Sequence, residues 1–142
     1  MSFGNSIATC FRKYAEFKGR ASRAEYWWFV LFAILAYIAA GIVATALENA
    51  APTVLLLLGL LLPSLSVAVR RLHDTGRPGW WYLIAFVPFG SIVLIVFLAQ
   101  PGEANANQYG PAPGPPLMPP RADVPPLPAP PPAKDTSGFS YS

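Results

Sequence analysis

Residues 26–47 read YWWFVLFAILAYIAAGIVATAL, 22 residues without a single Asp, Glu, Lys, Arg or His. Two similar uncharged runs follow at residues 52–69 and 80–99, with 18 and 20 residues. As helices the three runs would measure roughly 33, 27 and 30 Å, against a hydrocarbon core of about 30 Å. None shows the alternation of a barrel strand, and only helices or closed barrels satisfy every backbone group in lipid. The sequence therefore predicts an all-α integral membrane protein with three transmembrane helices.

Composition divides the chain into two parts. Of the 142 residues 54% are hydrophobic and only 12% are charged, which fits one small membrane domain over residues 1–110. Residues 111–132 hold 12 of the 17 prolines, and such a segment has too little apolar surface to form a packed core. We therefore expect residues 111–142 to form a disordered or polyproline tail. It would serve as a spacer through the envelope or as a ligand for a proline-binding domain.

Eight of the ten basic residues lie on one side of the predicted spans, and the other two are in the tail. The eight are Arg12, Lys13, Lys18, Arg20, Arg23, Arg70, Arg71 and Arg77. The loop between the first two spans carries only Glu48. By the positive-inside rule the N-terminus and second loop face the cytoplasm, and three spans then place the C-terminal tail outside. This placement explains the sequence pI of about 9.2 as topogenic charge, and it argues against a nucleic-acid partner.

Residues 3–17 carry apolar and aromatic side chains at spacings of three and four, which predicts one helical face. The set is Phe3, Ile7, Cys10, Phe11, Tyr14 and Phe17. An aromatic face flanked by cations is typical of a helix in the inner-leaflet interface; a soluble helix packed on the cytoplasmic loop is the alternative. Cys10 is the single cysteine, and we expect it to pack as a small apolar residue.

The first and third predicted spans both begin at the cytoplasmic side, and sequence signals mark these starts. Ser22-Arg23-Ala24-Glu25 is a capping box that predicts a sharp start for the first span. All four tryptophans are expected to anchor helices at this one interface. They are Trp27, Trp28, Trp80 and Trp81.

Three features within the spans predict how the helices pack and bend. Ala36, Ala40 and Ala44 repeat every four residues and predict close packing, against another span of the same chain or against a second copy. Pro63 should kink the second span. The triplet at residues 88–90 (PFG) would bend the third span or turn a re-entrant hairpin. We favour the bend, because twenty residues are too few for two legs that each cross a membrane.

The polar residues that border the spans form one candidate cluster. The loop at residues 70–79 (RRLHDTGRPG) and the segment before the first span lie on the same predicted side. The cluster comprises Arg20, Arg23, Glu25, Arg70, Arg71, His73 and Asp74. Charges beside lipid gain from pairing, so we expect salt bridges between Arg23 and Asp74 and between Arg71 and Glu25.

Three interpretations of this cluster compete. It is a structural clasp at the mouth of the bundle, a site for anionic lipid head groups, or a catalytic site. Catalysis is the weakest, because His73 and Asp74 are sequence neighbours and no Ser or Cys nucleophile has a spaced partner. One histidine makes a poor metal site, and a glycine-rich phosphate loop is absent from the sequence. We therefore expect no catalytic, cofactor-binding or metal-binding residues, and no enzyme.

Four motifs closely resemble the YhaH-like bacterial inner-membrane proteins, a family catalogued as domain of unknown function 805. They lie at residues 17–28 (FKGRASRAEYWW), 70–74 (RRLHD), 79–81 (GWW) and 101–111 (PGEANANQYGP). The resemblance covers about residues 3–111. It implies a bacterial cytoplasmic membrane location and about three spans, and it implies no activity, cofactor or substrate. The proline-rich tail departs from the family pattern.

As function we expect a non-enzymatic structural or interaction component of the bacterial envelope. Its partners would be membrane lipids, a second copy of the chain or other envelope proteins, without nucleic acid or a small-molecule substrate. The alternatives are a small transporter or channel subunit and an anionic-lipid-binding membrane protein. Against transport stands the lack of an ionisable residue within the three spans, because transport pathways usually keep one.

Overall fold

The computed structural model describes residues 1–114. Its elements are helices α1 (Phe3–Arg12), α2 (Arg23–Ala46), α3 (Ala51–Asp74) and α4 (Gly90–Ala99), with a 3₁₀ helix (Gly79–Phe86) between α3 and α4. Apart from an isolated bridge between Asn107 and Gly110, this part of the chain contains no β-structure. The predicted all-α class is confirmed. Most of the predicted proline-rich tail lies outside the described residues.

Helices α2 and α3 form an antiparallel pair of apolar helices, 24 residues each, long enough to cross a membrane. The Ser22 hydroxyl caps α2 by accepting the Glu25 amide at 3.1 Å, as the capping box predicts. The outward side chains are apolar and exposed, for example Ile42 at 64% and Leu55 at 69%. Lipid is the solvent in which such a surface is stable.

The third predicted span is not one bent helix, and this prediction is wrong. Residues 79–86 wind as a 3₁₀ helix, Phe89 takes a left-handed conformation with φ of 61°, and α4 begins at Gly90. A side chain at Gly90 would overlap the carbonyl oxygen of Ile84, so only glycine allows this tight turn.

The two legs around this turn run in opposite directions. The rings of Trp81 and Phe97 meet edge to face, with centroids 5.5 Å apart. Arg77 lies 4.1 Å above the Phe97 ring, so the end of α4 returns to the start of the 3₁₀ helix. Residues 79–99 therefore form a hairpin, which was the less favoured of the two predictions. The length argument failed because a hairpin need not cross the bilayer: legs of eight and ten residues reach roughly 15 Å each.

Helix α1 packs against the two long helices. It ends at Arg12 rather than continuing to Phe17, which is exposed. Phe11 contacts Phe29 and Phe32 of α2, with ring centroids 6.1 and 5.9 Å apart. Cys10 of the predicted stripe is fully buried, and so is Ser6, which lies outside the stripe. Phe3 and Phe11 contact rings of α2 but remain 39% and 41% exposed.

The carbonyl groups at the end of α1 and beside Pro63 are satisfied by side chains. The buried Ser66 hydroxyl lies 3.0 Å from the carbonyl oxygen of Lys13 and 2.6 Å from that of Glu16. Its single hydrogen is shared between these two acceptors, which fixes the chain after α1 on α3. Pro63 has no N–H for the carbonyl of Gly59, four residues earlier. The Tyr14 hydroxyl donates to that carbonyl at 2.6 Å instead.

The small-residue stripe of α2 is turned partly toward α3. Ala36 packs against the core cluster that contains Leu60 and Val67, and Ala40 and Ala44 are half-buried. This favours the interpretation in which the partner of the stripe is a helix of the same chain.

Candidate functional site

The N-terminal end of α2 and the C-terminal end of α3 are joined by a backbone hydrogen bond. The amide of Ala21 donates to the carbonyl of Arg70 at 3.0 Å. This brings residues 19–25 beside residues 70–74, as the sequence predicts. Within this contact Arg70 and Arg71 are fully buried, which is costly for a charged group unless it is paired.

Asp74 is shared between two guanidinium groups. Its Oδ1 accepts from Arg20, at 2.8 Å from Nη2 and 2.9 Å from Nε. Its Oδ2 accepts from Arg71. The expected Arg23–Asp74 pair is wrong: Arg23 begins α2 and is exposed, whereas Arg20 lies three residues ahead of the helix and folds inward.

Glu25 pairs with Arg70 rather than with Arg71. Arg70 Nη1 donates to Glu25 Oε1 at 2.5 Å, and both side chains are almost completely buried. Since this carboxylate is turned toward α3, its pairing with Arg70 takes the place of the second half of the predicted capping box. Arg70 Nε and Nη2 are buried without a hydrogen-bond partner.

Cys10 extends this second pair. Its Sγ lies 3.9 Å from Glu25 Oε1. Burial, helped by the neighbouring carboxylate, raises the pKa of the Cys10 thiol to about 12. The thiol therefore stays protonated and unreactive at neutral pH, which suits a packing role.

Residues 101–110, which we name the closing segment, cover the cluster from a third direction. Arg20 donates to the carbonyl oxygens of Glu103 and, at 2.7 Å, of Asn105. The amide of Glu103 donates back to the carbonyl of Asp74 at 2.8 Å. One arginine thus joins the segment before α2, the end of α3 and the closing segment.

Arg71 makes the corresponding link to α4. Its Nε donates to the Leu98 carbonyl at 3.0 Å, and its Nη2 donates to the Gln100 carbonyl. These are carbonyls at the end of a helix, where intrahelical donors are lacking. Arg71 therefore caps α4 while it pairs with Asp74.

His73 contacts both the segment before α2 and the closing segment. Its Nδ1 lies 3.1 Å from the carbonyl oxygen of Gly19; since a carbonyl can only accept, Nδ1 carries the hydrogen. The ring of Tyr109 stacks on the imidazole at 3.9 Å with an interplanar angle of 1°. The Asn107 side-chain amide donates to the His73 carbonyl at 2.9 Å.

Gly102 is required for the close approach of the closing segment. A Cβ atom at this position would overlap the carboxylate of Asp74. Further along, Asn107 and Gly110 exchange backbone hydrogen bonds of 3.0 and 2.9 Å, which closes a tight turn that presents Tyr109 to His73.

The contribution of the closing segment is what sequence reasoning missed. A model with three spans puts residues 101–111 on the opposite side of the membrane from the cluster, whereas in the structure they cover it. The available signal was the turn-forming triplet at residues 88–90, which returns the chain to the side of the cluster.

The four tryptophans lie beside the same end of the bundle. Trp27 and Trp28 follow the α2 cap, and Phe3 of α1 contacts Trp28 at a centroid distance of 5.6 Å. Trp80 is 79% exposed, and Trp81 contacts α4. This arrangement is that of an interfacial aromatic belt.

A groove of about 850 Å³ lies between the start of α2 and the closing segment. Arg23 and Glu103 line it, and both are exposed. In residues 1–114 His, Cys, Asp and Glu form no group of three or more that could hold a metal ion.

The fold and the site define a small helical protein with two membrane-length helices, closed at one end by a buried network of arginines and carboxylates. The family model described as "Protein of unknown function (DUF805)" matches residues 14–111. The chain belongs to this family.

Two relatives in Escherichia coli (strain K12) are similar over most of their length. Inner membrane protein YhaI is 42% identical over 102 residues, covering 70% of this chain and 86% of the relative. Inner membrane protein YhaH is 38% identical over 110 residues, covering 72% and 90%. No solved structure matches the chain.

Proposed function

We propose that this protein is a non-enzymatic structural component of the bacterial inner membrane, and that its charged cluster is a clasp. The observation that carries the proposal is the burial of the charges. The side chains of Arg20, Arg70 and Arg71 are at most 1% exposed, and each pairs with a carboxylate of the same chain. Membership of a family whose relatives are named inner membrane proteins supports the location.

The lipid-site alternative lacks this support. A head-group phosphate would have to reach guanidinium groups that are covered by the closing segment and by α4. Catalysis has less support still, because both carboxylates of the cluster are already paired with arginine and His73 is stacked. A clasp requires only that the groups bind one another.

We infer an orientation with the clasp in the cytoplasm. The basic residues of the N-terminal segment and of residues 70–77 are gathered at this end, as the positive-inside rule requires. Because the 3₁₀–α4 hairpin returns to the same end, α2 and α3 would be the two spans. The chain would then leave the described residues at Gly114 on the cytoplasmic side, not outside.

A double-mutant cycle on Arg20 and Asp74 tests the clasp. Breaking a buried ion pair by removing one partner costs on the order of 3–5 kcal/mol, so Asp74→Ala and Arg20→Ala should each lower thermal stability in detergent strongly. The double variant should lose much less than the sum, because both changes remove one shared interaction. The measurement is thermal unfolding of all three variants under identical conditions.

Arg23→Ala is the matched control, since Arg23 lies in the same segment but is exposed. It should change stability by a few tenths of a kcal/mol at most, and its effect should add to that of Asp74→Ala. Unchanged stability of Asp74→Ala together with tighter binding to phosphatidylglycerol vesicles would reject the clasp and favour the lipid site.

A further inference from the structure

The elements that surround the two long helices lie toward the clasp end, and only the chain after α1 reaches just past the midpoint of α3. The chain from α1 onward reaches α3 between Gly59, which accepts from Tyr14, and Ser66. The 3₁₀–α4 hairpin contacts α3 through Leu72. In the described chain, most buried apolar residues of α2 and α3 also lie in this half: they are Phe29, Val67, Ala68 and Leu72, while Leu60 lies just beyond the midpoint of α3.

The opposite half is a bare helix pair. Ile38 and Ile42 of α2, and Leu47 directly after it, are 56%, 64% and 63% exposed. Leu55 and Leu58 of α3 are 69% and 61% exposed. The protein therefore has a wide end and a narrow end along the axis of the α2–α3 pair.

The 3₁₀–α4 hairpin fits a lipid environment, although its legs are too short to cross the bilayer. Residues 79–99 contain no charged residue, and Trp80, Phe86 and Phe89 are 79%, 81% and 82% exposed. Exposure of so much apolar surface to water would be unfavourable, and acyl chains are the occupant that this chemistry fits. With legs of roughly 15 Å the hairpin can occupy only the leaflet on the clasp side.

The resulting asymmetry between leaflets is large. A helix with its side chains is roughly 10 Å across and fills roughly 80 Å² of the membrane plane. The leaflet on the clasp side contains α2, α3, α1 and the two hairpin legs, whereas the other leaflet contains α2 and α3 alone. The two hairpin legs alone add roughly 160 Å² to that leaflet, and α1 adds to this excess.

We propose that the protein acts as a wedge that senses membrane curvature and prefers bilayers whose surface on the clasp side is convex. On a convex surface the head groups spread apart, and inserted apolar segments fill the gaps between them. With the orientation given under Proposed function, the preferred membrane bulges toward the cytoplasm. That direction rests on the proposed function; the wedge itself rests on the shape.

Reconstitution of the full chain into vesicles of two sizes tests the wedge. Vesicles of phosphatidylcholine and phosphatidylglycerol would be prepared with diameters of about 50 nm and about 400 nm, because such insertion is curvature-sensitive. We expect the protein-to-lipid ratio to be about twofold or more higher in the small vesicles. An equal ratio in both sizes would overturn the wedge.

Sidedness gives a second readout in the same vesicles. Ala106 lies exposed in the closing segment, so Ala106→Cys supplies a thiol for a membrane-impermeant maleimide, while native Cys10 is buried. The label should mark a clear majority of molecules in small vesicles and about half in large ones, because the wide end faces the convex outer surface. Equal labelling in both sizes would contradict the proposal even if the total protein content differed.

Two double variants at the hairpin turn separate insertion from folding. Phe86→Lys with Phe89→Lys should abolish the size preference, because lysines there keep the turn out of lipid. Phe86→Leu with Phe89→Leu is the matched control and should retain it. Both positions are more than four-fifths exposed, so neither variant removes core packing, and unfolding temperatures would verify this. Retention of the preference by the lysine variant would reject the hairpin as the wedge.

Labelling in whole cells distinguishes failure of the wedge from failure of the proposed orientation. Labelling of Ala106→Cys from outside the cell would contradict the cytoplasmic clasp, whatever the vesicles show. Equal partition between vesicle sizes with Ala106→Cys protected in cells would overturn the wedge and leave the orientation intact.

Discussion

The two ends of the α2–α3 pair are stabilised by different chemistry. At the clasp end, five segments of the chain meet around two carboxylates and three arginines that are almost inaccessible. At the other end, residues 47–50 turn the chain between two helices whose side chains are mostly exposed and apolar. Hydrogen bonds and ion pairs depend on angle as well as distance, so a polar network fixes the relative positions of its elements. Contacts between apolar side chains and lipid impose no such geometry. The clasp end therefore sets the structure, and the other end has only to be apolar and long enough.

The largest expected effect is a difference in labelling between the two ends, which we expect to lie on opposite sides of the membrane. In whole cells an impermeant maleimide should label Ala50→Cys, in the α2–α3 turn, and should not label Ala106→Cys until the membrane is permeabilised. The reason is the hairpin, which returns the chain to the end where the basic residues are gathered. The expected difference in labelling is all or none.

Reporter fusions provide the control for this experiment. Fusions after Lys18 and after Thr75 should read as cytoplasmic in either topology, so they verify the assay. A fusion after Gly114 should also read as cytoplasmic. If it reads as external, the 3₁₀ helix and α4 together cross the membrane, and three spans are restored.

The sequence predicted the starts of both helices of the pair well, because local chemistry marks them. The end of the second was wrong: residues 70–74, expected in a loop, form the last turn of α3. Residues 26–47 were assigned to the first span and α2 covers Arg23–Ala46, since a serine cap and a run of apolar residues both mark its start. The aromatic stripe predicted the burial of Cys10, but it did not include buried Ser6, and its phenylalanines stay exposed. These are one-dimensional signals that need no knowledge of what lies opposite.

Partner choice within the clasp could not be predicted in the same way. Arg70 and Arg71 are adjacent on a helix, so their side chains point about 100° apart. Arg71 and Asp74 lie three residues apart on α3 and meet within that helix. The placement of the neighbouring elements decides that Arg70 meets Glu25 and that Arg20 joins Asp74. The closing segment was missed for a related reason: its position follows from the hairpin, and the hairpin was rejected on length.

The second prediction breaks the hairpin turn. Gly90→Ala should destabilise the protein by several kcal/mol or rearrange the hairpin, because the new Cβ atom would overlap the Ile84 carbonyl, a backbone group that cannot swing away. Thermal unfolding in detergent measures the loss. Gly41→Ala in α2 is the control: its Cβ would meet nothing within 4 Å, and alanine should stabilise the helix by up to about 1 kcal/mol. Equal effects of the two substitutions would be inconsistent with the turn.

The third prediction loosens the closing segment alone. Tyr109→Ala removes the ring that stacks on His73, and stacked aromatic pairs contribute about 0.5–1.5 kcal/mol beyond the area they bury. The variant should fold, but limited proteolysis should cleave it faster within residues 101–114. Tyr109→Phe keeps the ring and should be cleaved at the rate of the unmodified protein. Faster cleavage of both variants would assign the effect to the hydroxyl and not to stacking.

The smallest expected effect concerns the interior of α3, at the boundary between the two ends. Tyr14 donates to the Gly59 carbonyl that Pro63 leaves without its helical donor. Tyr14→Phe removes only the hydroxyl and should cost about 1 kcal/mol, the usual net value of one hydrogen bond. Thermal unfolding in detergent would show it.

Measuring Tyr14→Phe in the Pro63→Ala background identifies the cause of its stability loss. In Pro63→Ala the new amide at position 63 can donate to the Gly59 carbonyl and replace the tyrosine. The cost of Tyr14→Phe should then fall close to zero, a non-additivity that arises only if both groups serve the same carbonyl oxygen. A cost that is unchanged in the alanine background would mean that Tyr14 stabilises α3 through its ring. The proline would then be tolerated without a side-chain donor, and the chain after α1 would be fixed to α3 by Ser66 alone.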